Sequence, residues 1–227
     1  MKNLFFTLAF SLFASTCIFA QQTFHTHPDT VSVSEQSDVY NVPVYNNIDH
    51  LVAAGDTVFV KWERTVLVNP NNLETQVCDP VACFAAWVDT HTFPLVTDTN
   101  IIVYLLNPNS VDPYYAVVQL KFTDIEDPAN PRFSYYIFNI GTSSTDGPAP
   151  VANVKLYPNP VVESFTLENT DDVHRILVFA ADGRQVATFQ PNAGQSYSLA
   201  GQPAGQYAVA LEAKSGKVFQ VISVRKN

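Results

Sequence analysis

The chain is predicted to be all-β: two antiparallel β-sandwich domains of the immunoglobulin or fibronectin kind, joined by a short linker. Three observations predict this. Apolar residues recur at alternate positions in short runs, and no stretch shows the spacing of an amphipathic helix. The runs are rich in Val, Ile, Tyr and Phe, whose branched or aromatic side chains fit a pleated surface. Pro, Asn, Asp and Gly cluster between the runs, where the chain must turn.

Residues 1–20 form the first element. Lys2 precedes an apolar stretch from Leu4 to Phe19 that is broken only by Thr7, Ser11, Ser15 and Thr16. It is too short for a comfortable membrane span and reads as a signal peptide cut after Ala20. A lipid anchor on Cys17 is the rival. It is disfavoured because Ala14 stands three places upstream, where a branched aliphatic residue is expected. No other apolar stretch approaches spanning length, so the expectation is an exported protein with no transmembrane segment in its mature chain.

The mature chain has 227 − 20 = 207 residues, enough for two modest cores. Residues 21–140 are assigned to the first domain, the passenger. Val39, Val42 and Val44, with Tyr40 and Tyr45, mark one strand. Thr57-Val58-Phe59-Val60-Lys61-Trp62 marks a second, with Val58, Val60 and Trp62 sharing the core face. Ile101 to Leu106 is almost continuously apolar, as a central strand covered on both faces would be. Val118, Leu120 and Phe122 alternate with Val117, Gln119 and Lys121, and Phe133 to Ile140 closes the domain. About seven strands are expected, with Trp62 in the core.

Residues 141–150, Gly-Thr-Ser-Ser-Thr-Asp-Gly-Pro-Ala-Pro, cannot bury an apolar face and read as the linker. Residues 151–227 then supply six or seven short strands. Asp182-Gly183 and Ser215-Gly216 act as turns, where glycine accepts the positive φ that strand twist demands.

Cys17 leaves with the leader, and Cys78 and Cys83 remain as an even pair in an exported chain, which reads as one disulfide. Asp79-Pro80 lets the loop close. So small a loop gains only about 2 kcal/mol in the chain-entropy model, so it pins a loop and does not replace a core.

Charge is divided unevenly. Residues 21–149 hold 15 acids and 4 bases (4 − 15 = −11), whereas residues 150–227 hold 6 acids and 7 bases (7 − 6 = +1). An acidic passenger excludes nucleic acid and anionic membrane surfaces as partners. Its densest acidic group, Asp124-Ile125-Glu126-Asp127, reads as a solvated loop in preference to a calcium site.

The tail carries a specific resemblance. Leu156-Tyr157-Pro158-Asn159-Pro160, Phe165-x-Leu167, Val178-Phe179-Ala180-Ala181-Asp182-Gly183-Arg184-x-Val186 and Pro203-Ala204-Gly205-x-Tyr207-x-Val209 follow one another to the terminus. In that order they resemble the type A C-terminal sorting domain of type IX secretion system (T9SS) cargo. The basic residues usual near its end are represented by Lys217, Arg225 and Lys226. The resemblance implies passage through the periplasm to an outer-membrane translocon that recognises the folded tail. It further implies removal of the tail by a sortase-like peptidase, in or near residues 141–153. The product is then released or joined to surface lipopolysaccharide, on the outer face of a Gram-negative envelope. A weaker resemblance spans about 60 residues of the passenger. Lys61-Trp62-Glu63-Arg64, Val77-Cys78-Asp79 and Cys83-Phe84 are similar to an immunoglobulin-like module of exported bacterial proteins, departing from it near Leu73.

No catalytic motif appears in the passenger: there is no Gly-x-Ser-x-Gly elbow, no His-Glu-x-x-His and no phosphate-cradling loop. No catalytic residue, metal ligand or cofactor is therefore assigned. His25-x-His27-x-Asp29 has metal-ligand spacing, but so near the expected N-terminus it reads as a frayed polar segment. His50 and His91 are isolated in sequence. The preferred reading is a displayed or secreted module with a structural or protein-contact role. The alternative is a carbohydrate-binding module that stacks sugars on exposed rings, with Trp87 beside the disulfide loop as the residue to watch.

Overall fold

A computed structural model describes residues 22–33, 41–107, 114–140, 153–192 and 194–227. The expected signal peptide and the linker at 141–150 lie outside the described residues. Every regular element described is a β-strand.

Among the described residues, ten strands build the N-terminal half: β1 (Phe24–His27), β2 (Thr30–Val33), β3 (Asn41–His50), β4 (Val58–Val68), β5 (Glu74–Cys78), β6 (Cys83–Phe84), β7 (Thr90–Leu95), β8 (Thr99–Leu106), β9 (Tyr114–Asp124) and β10 (Arg132–Ile140). They form two five-stranded sheets, in the orders β1-β3-β8-β5-β6 and β2-β10-β9-β4-β7. The expectation of about seven strands missed the short pieces, because strands of two to five residues carry too little alternation to declare themselves. Pairing is antiparallel except for β2, which runs parallel to β10.

The core between these sheets collects the alternate residues the pattern points to. Val58, Val60 and Trp62 of β4 meet Ile101, Val103 and Leu105 of β8, all buried. β8 is central in its sheet, yet its other face is not covered as expected: Ile102, Tyr104 and Leu106 remain half-exposed. An apolar run records that both faces tolerate burial, whereas coverage requires a second layer to arrive.

Among the described residues, seven strands build the C-terminal half: β11 (Lys155–Tyr157), β12 (Ser164–Glu168), β13 (Arg175–Ala180), β14 (Gln185–Phe189), β15 (Ser196–Ser198), β16 (Gly205–Glu212) and β17 (Val218–Lys226). A three-stranded sheet, β11-β12-β15, packs on a four-stranded one, β14-β13-β16-β17. Phe165, Tyr197, Ile176, Val178, Val209 and Leu211 fill the space between.

A third apolar cluster joins the halves. From the N-terminal half it takes Leu67, Val117, Phe133, Tyr135 and Ile137. From the C-terminal half it takes Leu177, Phe179, Ala208, Ala210, Val218 and Val221. On β10, Tyr136 and Phe138 point into the first core while Tyr135 and Ile137 point at the other half. On β13, Ile176 and Val178 serve their own core while Leu177 and Phe179 face across. These strands are apolar on both sides because both sides are buried. Burial pushes the Tyr135 and Tyr136 hydroxyls far above their usual range.

Candidate functional site

The disulfide loop forms one candidate site. Cys78 and Cys83 are bonded, closing the β5–β6 hairpin as the spacing predicts. Inside the loop, the Asp79 side chain turns inward and is fully buried. Its Oδ1 accepts hydrogen bonds from the Val81 and Ala82 amides at 2.8 and 3.1 Å, an Asp-centred turn. Its Oδ2 accepts from Trp62 Nε1 at 2.9 Å and from His91 Nδ1 at 2.8 Å. The Phe84 ring lies 5.5 Å from Trp62 and 4.3 Å from His91, centroid to centroid.

Arg64, two residues on from Trp62, shares its face of β4 and extends the same knot. Its guanidinium donates to the Thr75 and Ala86 carbonyls and pairs with Asp89 at 2.7 Å. A buried carboxylate holding an imidazole by Nδ1 is the orienting half of a hydrolytic triad. Here the carboxylate ties the disulfide loop to β4 through Trp62 and to β7 through His91. His91 was isolated in sequence, and its partnership with Asp79 arises because β7 pairs with β4 and sets His91 opposite Trp62.

Beyond this knot, Trp87 projects into solvent at 84% exposure, and the nearby Val81 is exposed at 59%. Most of the remaining aromatics of the passenger are buried, with Tyr45 and Phe59 the other large exposed rings among the passenger's described residues.

The N-terminal histidines overturn an expectation. His25 and His27 belong to β1, which pairs with β3, and are not frayed. Phe24 and Thr26 alternate into the interior and hold the strand in place. The two imidazoles stack at 5.6 Å, and His27 Nε2 lies 3.0 Å from Asp49. Asp29 does not join them; its carbonyl accepts from the Tyr135 amide. The alternation of Phe24 and Thr26 with the histidines was the available signal. Among the described residues, no group of three or more His, Cys, Asp or Glu is placed to hold a metal ion. Asp124 is likewise not solvated: it is buried, accepting from Thr23 Oγ1 at 2.8 Å and from the Glu126 amide at 2.9 Å.

The tail motif forms the other candidate site. Phe165 and Leu167 lie on β12 of the three-stranded sheet and pack in the core. The Pro-Asn-Pro corner, the Asp182-Gly183 turn and the Gly205 start of β16 meet at one end of the four-stranded sheet. Asp182-Gly183 turns β13 into β14 just beyond Ala180, which stands opposite Tyr207. Gly205, at the start of β16, stands opposite Lys226. Tyr207 is buried and its hydroxyl donates to the Pro203 carbonyl at 2.7 Å, tying the strand to the loop before it. The Leu156-Tyr157-Pro158-Asn159-Pro160 corner arrives at the same end. Asn159 Nδ2 donates to the Ser223 carbonyl at 2.9 Å, and its Oδ1 accepts from the Arg225 amide at 3.0 Å. Val161 then bridges Lys226. Arg225 and Lys226 thus border the exposed corner, whereas Lys217 sits on the hairpin at the opposite end. The basic residues grouped in sequence are not one cluster in space.

Gly183 has a second reason to be glycine. Its φ of +84° suits the turn, and a Cβ there would stand 2.4 Å from Thr65 Cγ2 of the passenger. At the same seam an open groove of about 400 Å³ is lined by Leu67, Pro70 and Tyr115 from one half and Arg175, Leu177 and Glu212 from the other. The buried Glu212 accepts from Arg175 Nη2 at 2.7 Å. Burial first, and the Glu212 carboxylate second, raise the Tyr115 hydroxyl above its usual range.

Residues 155–225 match a family model described as a secretion system C-terminal sorting domain. The chain therefore carries a C-terminal domain of that type. No curated protein matches the chain in sequence. Among solved structures, the Salmonella enterica SafA pilin in complex with the SafB chaperone is 11% identical at TM-score 0.39, covering 91% of this chain and 98% of that one. The Escherichia coli chaperone DraB is 13% identical at TM-score 0.33, covering 89% and 97%. The N-terminal domain of PorA is 8% identical at TM-score 0.37, covering 50% and 89%. Such weak likenesses carry no argument about function.

Proposed function

We propose that the protein is cargo of the type IX secretion pathway, and that residues 21–140 act outside the cell as a structural or protein-interaction module. The carrying observation is the match of residues 155–225 to the sorting family, with the Pro-Asn-Pro corner, the Asp182-Gly183 turn and Gly205 gathered at one exposed end of the tail. In this reading, two immunoglobulin- or fibronectin-like sandwiches, 21–140 and 151–227, flank a linker at 141–150. The translocon engages the end of the tail formed by Tyr157, Pro158, Asn159, Pro160 and the Gly205–Lys226 pair. A sortase-like peptidase cuts in or near 141–153, and the passenger is released or joined to surface lipopolysaccharide. The reading assigns no reaction.

The test is localisation in a bacterium that has the pathway. Tyr157, Pro158 and Asn159 are replaced together by alanine in the full chain, and cell fractions are analysed by intact mass. The unaltered chain is expected at the surface or in the medium, ending within 141–153; the variant is expected at full length in the periplasm. Equal export of both overturns the proposal.

The exposed Trp87 indole favours a second reading, stacking on a sugar ring. Affinity electrophoresis through polysaccharide gels should retard the protein, and Trp87→Ala should abolish the retardation. Unretarded migration of the unaltered protein through every gel removes this reading.

A further inference from the structure

We infer that the outer face of the β2-β10-β9-β4-β7 sheet is a docking site for the tail of this same chain, and that the tail stays seated after the chain between them is cut. The inference rests on the interface alone and does not depend on the export route.

The apposed faces differ in a complementary way. The passenger offers bulk, with Phe133, Tyr135 and Ile137 along β10. The tail offers Ala208 and Ala210 on β16, an inner strand of its sheet, where the small side chains let the bulky layer approach. Val117, Tyr135, Ile137, Ala208, Ala210 and Val218 are each fully buried. Packing this complete excludes water from the middle of the interface, the condition under which apolar contacts hold partners together.

Three side chains of the passenger donate to backbone carbonyls of the tail. Thr30 Oγ1 bonds Val221 at 2.8 Å, Asn139 Nδ2 bonds Val218 at 3.0 Å, and Gln119 Nε2 bonds Ala181 at 3.0 Å. Two of these satisfy carbonyls of β17, the edge strand of its sheet. The third anchors the Asp182-Gly183 turn, with Gly183 against Thr65. The apolar patch is thus stitched at separate places, which fixes register as well as contact.

None of these contacts uses a residue between 141 and 152. Scission there removes only the covalent tether, and with it the high effective concentration that a tether supplies. Departure of the tail would expose Val117, Tyr135 and Ile137 together, a contiguous apolar patch that monomeric proteins avoid. Release of the tail therefore needs a displacing step after scission. While docked, the Pro-Asn-Pro corner, Asp182, Arg184 and Pro203-Ala204-Gly205 all remain exposed.

The experiment uses the full mature chain carrying a site-specific protease sequence in place of residues 144–148. After complete cutting, the two fragments are passed over a size-exclusion column at about 1 µM, where weak encounter complexes fall apart. Co-elution at the volume of the uncut chain is expected. Separate elution, or precipitation of the N-terminal fragment with the tail left in solution, overturns the inference. Ala210→Glu places a charge at the centre of the interface and should separate the cut fragments, whereas Tyr157→Ala on the exposed corner should not. Co-elution of cut Ala210→Glu fragments would overturn the assignment of this face. Should that variant fail to fold when uncut, the unaltered cut protein still decides the question.

Discussion

Replacing Asp79 by alanine tests the knot beneath the disulfide loop most directly. The carboxylate accepts four hydrogen bonds, and their donors differ in what happens when it is removed. Trp62 Nε1 is the costly one: the indole is fully buried, and an unsatisfied buried donor costs about 1–3 kcal/mol. The amides of Val81 and Ala82 lie on an exposed loop and can turn to water, so losing their turn costs roughly 0.5–1.5 kcal/mol together. His91 is one-third exposed and can rehydrate, so it adds little. The sum is about 2–4 kcal/mol, or roughly 5–15 °C in midpoint for a chain of this length. The two tryptophans allow a local readout, because Trp62 is buried and Trp87 exposed. In a Trp87→Phe background, Trp62 emission alone follows urea unfolding of the passenger. A red-shifted native emission and a midpoint lowered by that amount are expected for Asp79→Ala, with a smaller loss for Asp79→Asn. A loss under about 0.5 kcal/mol would refute the reasoning, since it would mean that the buried indole finds another acceptor or none is needed.

Gly183→Ala should destabilise by about 2–3 kcal/mol, adding left-handed backbone strain to a displaced Thr65 side chain. Thr65→Ala in the same background should recover about 1 kcal/mol of it, a coupling that a urea double-mutant cycle measures directly. At high pH the buried Tyr135 and Tyr136 should undermine the fold. Their folded-state hydroxyls titrate far above the ordinary value near 10, so their contribution is complete below that pH and lost as pH rises. Two such groups remove stability at up to about 2.7 kcal/mol per pH unit above 10. Absorbance at 295 nm should therefore show these tyrosines ionising only together with the loss of β circular dichroism; ionisation in the folded state would count against their burial.

Several features were legible because their causes are local. The Asp182-Gly183 turn, the Pro-Asn-Pro corner and the small Cys78–Cys83 loop each depend on a few adjacent residues. Trp62 belongs to the core because the period of two places it beside Val58 and Val60, whatever the partner sheet may be. Other features needed distant residues. Asp79 joins Trp62 and His91 across separations of 17 and 12. Asn159 meets Ser223 and Arg225 through the return of the last strand. Lys217 parts from Arg225 and Lys226 because β17 carries them to opposite ends.

Two strands with the same sequence signal mark the boundary. Ile101 to Leu106 and Phe133 to Ile140 are both apolar at nearly every position. The first is left with Ile102, Tyr104 and Leu106 half-exposed, while the second has Tyr135 and Ile137 sealed beneath the tail. The sequence by itself determined that this protein is built of strands, where they turn, which residues form each inner face, and that its end has the character of a sorting tail. Alternation and turn chemistry are properties of neighbouring residues, so they can be read along the chain. Only the tertiary structure decided that the two halves share an apolar interface, and which outer face lies within it. Burial of a second face depends on whether another sheet of complementary shape comes to rest there, and no local pattern records that.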